Sequence, residues 1–154
     1  PIRMLAEIMR QRLHQKLVEK DRVARQVDCY YQAFEPACLV VQVSGKNAFQ
    51  SAEFALSVLR NAREFGFSDA EVEAGRNVVE AQLGLGYEAA PTLAKRLDRA
   101  AVLEKPNLSG NEKILLQKVN AKYLQALAKE YFQTISWGLV GDTTKVDRKS
   151  LLRL

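Results

Sequence analysis

Histidine is almost missing from this sequence: His14 is the only one in 154 residues. Cysteine is nearly as scarce, with Cys29 and Cys38 alone. A zinc centre takes about three protein ligands, mostly histidine or thiolate. One histidine cannot supply H-E-x-x-H or its inverse, so any zinc chemistry must be borrowed from outside this chain. Other catalytic signatures are missing too. There is no G-x-S-x-G elbow. Ser44-Gly45-Lys46 ends like a phosphate loop but lacks the upstream glycine. Gly84-Leu85-Gly86 follows a helical pattern rather than a strand, so it is no dinucleotide fingerprint. No apolar run approaches the roughly 18 residues of a membrane span. Residues 1–12 carry charge throughout and show no small-residue cleavage signature, unlike a signal peptide. No internal repeat or low-complexity segment occurs.

What is present is the balance of one globular domain. Hydrophobic residues are 47% and charged residues 27%, which excludes a disordered tail and a fibrous protein. The net charge of +5 is a modest excess. The basic residues are spread from Arg10 to Arg153, most with acidic neighbours, and read as solvated helix faces. A nucleic-acid binder gathers them in one patch. Tyr30-Tyr31 could stack bases on a sheet, but the glycine and aromatic pattern of an RNA-recognition sheet is missing. Cys29 and Cys38 have no C-x-x-C spacing and read as small hydrophobes rather than a redox pair. His14 reads as a partly exposed helix residue rather than a base.

Leu5, Ile8, Met9, Leu13 and Leu17 recur at three and four and predict a helix over 2–20. The period then falls to two. Val27, Cys29, Tyr31 and Ala33 alternate with Gln26, Asp28, Tyr30 and Gln32, a half-buried strand ended by Glu35-Pro36. Leu39, Val41 and Val43 make the inward set of a second strand. Matching the apolar sets as a hairpin places Cys29 opposite Val43, Tyr31 opposite Val41 and Ala33 opposite Leu39. Cys29 and Cys38 then point to opposite faces and remain free thiols. Asn47 caps a helix to about Glu64. Ser68 with Glu71 forms a capping box for a helix from Asp69 to about Leu83. Pro91 opens a helix to about Leu103, 104–110 is a loop, Glu112 to Lys118 a short helix, and Asn120 caps another. Ile135 to Val140 is expected as a third strand, followed by a helix or tail.

Strands and helices are segregated, so the predicted class is α+β: an antiparallel sheet with helices packed on one face. Three strands cover so many helices poorly. A sheet partner is expected to be missing because the chain begins inside a larger domain, truncated at its N-terminal side.

Ordered patches along the chain resemble a known family. Met4-Leu5 and Arg12-Leu13-His14-Gln15-Lys16-Leu17 lie on the opening helix, and Cys38-Leu39-Val40-Val41-Gln42-Val43 forms the second strand. The helix of Ala52 to Arg63 follows. The sharpest patch is Phe65-Gly66-Phe67-Ser68-Asp69-Ala70-Glu71-Val72-Glu73, like a G-F-[ST]-x-x-E-[LF]-E helix start. Val119-Asn120-Ala121 with Leu124, Leu127 and Ala128, and then Leu139-Val140-Gly141, complete the set. In this order they resemble a repeat domain of the insulinase/pitrilysin zinc peptidases, the inverted-zincin group that includes mitochondrial processing peptidase. Specifically, the chain resembles the second of the paired α+β domains of long bacterial members.

The resemblance implies a single domain, 1–154, that is a fragment of a zinc metallopeptidase. Family domain pairs close as a clamshell around a chamber in which peptides are cut. The zinc and the H-x-x-E-H motif belong to a neighbouring domain, so this segment is expected to have no catalytic residue, no metal ligand and no cofactor of its own. Some family domains carry L-R-E-x-x-G-x-x-Y after the opening helix, whose arginine and tyrosine hold substrate. Here the stretch is Leu17-Val18-Glu19-Lys20-Asp21-Arg22-Val23-Ala24-Arg25, with Val18 for the arginine and Arg25 for the tyrosine. That departure favours a non-catalytic partner domain. Alternation puts Gln26, Asp28, Tyr30 and Gln32 on the face away from the helices, and the resemblance makes that face the chamber wall. Expected partners are the catalytic domain, peptide substrate and a second copy of the fragment, with no membrane and no nucleic acid. A bacterial periplasm and a bacterial cytoplasm both remain open. Two alternative functions are an assembly subunit of the same fold, which shares every one of these features, and an unrelated basic nucleic-acid-binding module.

Overall fold

A computed structural model describes residues 1–32, 37–88, 108–136 and 138–140, with helical positions 90, 91, 94 and 98 between them. The apolar stripe of the opening helix is the centre of the core. Helix α1 (Ile2–His14) buries Met4, Leu5, Ile8, Met9 and Leu13, none more than 1% exposed. Leu17 carries the stripe into a π-helical turn, Gln15–Lys20. The five-residue reach of that turn is visible twice. The Asp21 amide donates to the Lys16 carbonyl at 3.0 Å, and the two side chains form an ion pair at 2.9 Å.

Strands β1 (Ala24–Gln32) and β2 (Cys38–Gly45) form a two-stranded antiparallel sheet. Val27 pairs with Val43, Cys29 with Val41 and Tyr31 with Leu39. The expected register, with Cys29 opposite Val43, Tyr31 opposite Val41 and Ala33 opposite Leu39, is therefore wrong by two residues; Ala33 itself lies outside the described residues. A slip of two leaves every side chain on its own face, so alternation cannot detect it. The register is set instead where the chain enters the sheet. Ala24 pairs with Gly45 and Gln26 with Ser44, leaving Arg25 as the extra residue of a bulge. A Cβ on Gly45 would lie 2.5 Å from the Val23 carbonyl oxygen, and Ser51 Oγ donates to that same oxygen at 3.2 Å. This close approach pins the end of β2 to the start of β1. Cys29 and Cys38 still face opposite ways, and both are free thiols.

The core face of the hairpin packs on α1, and α1 packs in turn against α3. Asn47 Oδ1 accepts from the Gln50 amide at 3.1 Å to start α2 (Ala48–Phe65), which ends at Gly66 with φ 73°. Helix α3 (Asp69–Glu88) runs past its expected end at Leu83. A glycine costs a helix about 1 kcal/mol, so Gly84 and Gly86 weaken α3 without stopping it. Helix α4 (Leu108–Gln117) starts within the expected 104–110 loop. Gly110 falls in its first turn, where no intrahelical bond to its amide is lost. Arg76 on α3 donates to the carbonyls of Leu116 at 3.3 Å and Val119 at 2.9 Å, satisfying the end of α4. Asn120 Oδ1 accepts from the Tyr123 amide at 2.9 Å to start α5 (Ala121–Tyr131), which packs on α2.

The third strand is not found among the described residues. Residues 135, 136 and 138–140 pair with no strand, and Ile135 and Val140 are 39% and 99% exposed. An alternating pattern supplies two faces, but a strand exists only through a ladder to a partner. The expected helix over 91–103, apart from helical positions 91, 94 and 98, and the tail over 141–154 lie outside the described residues. The class is α+β, with helices on one face of the antiparallel pair.

Candidate functional site

The outer face of the hairpin is a row of cross-strand pairs: Gln26 with Ser44, Asp28 with Gln42, Tyr30 with Val40, and Gln32 with Cys38. The structure thus brings together all four residues singled out from alternation. Gln26, Tyr30 and Gln32 are exposed and Asp28 is half-buried. Asp28 is the single charge among the eight. Its Oδ1 accepts from the Cys29 amide at 2.8 Å, and the Arg10 guanidinium of α1 lies within its electrostatic reach. Gln42 Nε2 donates to the Tyr30 hydroxyl at 3.1 Å. The face offers amides, the hydroxyls of Tyr30 and Ser44, the Cys38 thiol and one carboxylate, groups that can bind a polar backbone. Behind it, Glu7 is 7% exposed. Burial by itself would raise its pKa, but hydrogen bonds from Arg10, Gln11 and Gln82 outweigh burial and hold it low.

The π-helical turn borders an open cleft of about 650 Å³ lined by Arg12, Gln15, Lys16, Glu19, Lys20, Val58 and Asn61. Most of its charges are already committed to the protein. Lys16 pairs with Asp21 and lies 5.6 Å from the centre of the Phe54 ring. Glu19 is 3.3 Å from His14. The cleft reads as a crease in the scaffold rather than a ligand site.

Arg12 holds the α2–α3 turn. Its Nη2 donates to the Gly66 carbonyl at 2.9 Å and to Glu71 Oε2 at 2.8 Å, its Nε donates to Glu71 Oε1, and the guanidinium lies 4.5 Å from the centre of the Phe67 ring. Glu71 also closes the expected capping box: it accepts from the Ser68 amide at 2.8 Å, while the Glu71 amide donates to Ser68 Oγ at 3.3 Å. The Arg12 guanidinium, aided by Ser68, holds the Glu71 carboxyl at about 2. The capping box is legible in sequence. The arginine 59 residues away is not.

The turn that resembles L-R-E-x-x-G-x-x-Y has a feature its two outer substitutions do not reveal. The glycine position falls on Arg22, which adopts φ 52°. A non-glycine residue there costs about 1–2 kcal/mol. The backbone at Arg22 therefore makes a glycine-type turn without a glycine. Arg22→Gly is expected to raise stability by about 1 kcal/mol, after the greater chain entropy that glycine gives the unfolded state. A denaturant midpoint at or below that of the parent would show that the turn is not strained. Arg25, at the tyrosine position, is exposed on the bulge beside the hairpin's outer face.

Among the described residues the histidine and the two cysteines do not converge on one point. Cys29 lies on the core face, where burial pushes its thiol up to about 12. Cys38 faces the other way and His14 sits at the end of α1. Among the described residues no group of three His, Cys, Asp or Glu is placed to hold a metal ion.

No protein-family model matches the chain, and no curated protein matches it. Solved structures do. The periplasmic protease PqqL from Escherichia coli superposes with a TM-score of 0.67 at 14% identity, over 85% of this chain and 15% of its own. A protease from Helicobacter pylori gives 0.68 at 15% identity, over 84% of this chain and 35% of its own. A candidate zinc protease from Bordetella pertussis Tohama I gives 0.69 at 16% identity, over 83% of this chain and 77% of its own. The chain thus spans a small part of the first and about a third of the second. At these identities the likeness establishes the fold, and the chain has a zinc-protease-like α+β fold.

Proposed function

We propose that residues 1–154 are one non-catalytic domain of an insulinase/pitrilysin-type zinc metallopeptidase, forming part of the wall of its peptide-degrading chamber. The observation that carries this reading is the fold shared with three protease chains, joined to a sequence with one histidine. Zinc and the H-x-x-E-H motif then belong to another domain of the longer protein, which is this domain's first partner. The outer hairpin face, Gln26, Asp28, Tyr30 and Gln32, is turned to the chamber and touches peptide substrate. Its exposure and its single charge support that assignment. Amide and hydroxyl groups can both donate to and accept from a peptide backbone whatever its sequence.

The test uses the longer protein with its zinc domain. Tyr30→Ala with Gln32→Ala is expected to raise KM for a peptide about fivefold with kcat unchanged, the signature of lost uniform binding. An unchanged KM would remove the face from the chamber. Hydrolysis of peptide by residues 1–154 alone would overturn the non-catalytic reading.

A further inference from the structure

The chain enters the sheet through a close crossing that gathers three cations. Ala24 pairs with Gly45, and a Cβ on Gly45 would lie 2.5 Å from the Val23 carbonyl oxygen and 3.4 Å from Ala24 Cα. Arg22 immediately precedes Val23, Arg25 is the extra residue of the bulge, and Lys46 immediately follows Gly45. All three are exposed and none lies on a helix. They are therefore not the solvated helix faces that the spread of basic residues suggests. The side chain of none of them is hydrogen-bonded or ion-paired among the described residues. The two acids of the adjoining turn face elsewhere: Asp21 lies 2.9 Å from Lys16, and Glu19 lies 3.3 Å from His14. The next acid along β1, Asp28, is half-buried and accepts from the Cys29 amide.

The cations also continue the outer face of the hairpin. Arg25 and Gln26 are exposed one after the other, the break in alternation that a bulge produces. The bulge thus sets a guanidinium beside the row of Gln26, Asp28, Tyr30 and Gln32. On the other strand Lys46 stands two residues beyond Ser44, the partner of Gln26. Like charges on backbones this close repel one another, and an anion between them removes the repulsion. Guanidinium groups bind carboxylates through paired hydrogen bonds. We propose that Arg25, Lys46 and Arg22 form a subsite for acidic side chains of a peptide substrate, at the end of the outer face where the chain enters the sheet. The proposal rests on the reading of that face as chamber wall. It adds a sequence preference to a row that by itself binds any backbone: Tyr30 and Gln32 hold the peptide's main chain, and the cationic end takes a glutamate or aspartate.

The test assays the longer protein with its zinc domain on two peptides that differ only in carrying a pair of glutamates or a pair of glutamines. The glutamate peptide should have the larger kcat/KM. Added salt should shrink that preference, because exposed charges are screened over about 8 Å at physiological ionic strength. Arg25→Gln with Lys46→Gln should lower the preference about tenfold, through KM. Arg25→Lys with Lys46→Arg keeps both charges and should keep most of it. Equal kcat/KM for the two peptides in the parent overturns the proposal. So does a glutamine variant that loses heat stability in the longer protein but keeps the preference, the result expected if these cations pair with acids of another domain. Tyr30→Ala with Gln32→Ala separates the two readings. If that pair raises KM for both peptides while the glutamine variant leaves the preference intact, the carboxylate subsite fails and the chamber wall stands. If it leaves both KM values unchanged, the wall reading fails, and the subsite that rests on it fails too.

Discussion

Replacing Arg12 with methionine is expected to lower stability at neutral pH by about 2 kcal/mol. The long apolar stem is kept, so packing on Phe67 largely survives. What disappears is the paired contact with Glu71, the bond to the Gly66 carbonyl and the charge over the ring. Breaking a fully buried pair costs about 3–5 kcal/mol. Here the side chains are 23% and 33% exposed, so water screens part of the loss. The deficit should depend on pH in a stated direction. Glu71 titrates at about 2 in the folded chain against an ordinary 4.5. Its contribution is thus complete above the ordinary value and is lost as pH falls through the folded one. The gap between parent and variant should be widest at neutral pH and close toward about pH 2. Ser68 still holds Glu71 in the variant, so some acid dependence remains. Urea midpoints measured across that range decide it. Equal midpoints at neutral pH, or a gap that ignores pH, would show that the clasp carries no stability.

Gly75→Leu should destabilise by about 3 kcal/mol, near the upper end for overpacking. Gly75 lies within α3, where propensity alone favours any ordinary residue by up to about 1 kcal/mol. The structure reverses that preference. A Cβ at this position would lie 2.5 Å from Ile8 Cγ1 and 2.9 Å from Ile8 Cδ1. Ile8 is 1% exposed, so it has little room to move. A leucine must therefore drive α3 away from the central helix. Pairing Gly75→Ala with Ile8→Ala should cost less than the sum of the two single changes, because each makes room for the other. A Gly75→Leu chain with the parent's denaturant midpoint would show that the two helices do not meet there.

The two positions differ in how they could have been found. Gly75 lies inside a predicted helix, where propensity alone makes glycine a weak point, and only the partner helix gives it a purpose. Arg12 reads as one more charge on a solvated face, because nothing local places it beside Glu71. The same limit explains the hairpin. The period of two assigned Gln26, Asp28, Tyr30 and Gln32 to one face and Val27, Cys29 and Tyr31 to the other, and both assignments match the structure. It could not choose between registers two residues apart, since both keep the faces intact.

By itself the sequence determined what depends on near neighbours along the chain. That covers the stripe from Leu5 to Leu17, the caps at Asn47, Ser68 and Asn120, the strand faces and the α+β class. Each follows from a period or a side-chain-to-backbone bond spanning a few residues. Tertiary structure alone decided the register at Gly45, the clasp of Arg12 on Glu71, the fit of Gly75 on Ile8 and the absence of a strand at the described residues 135, 136 and 138–140. Each depends on atoms far apart in sequence, whose meeting is settled by the packing of the whole core.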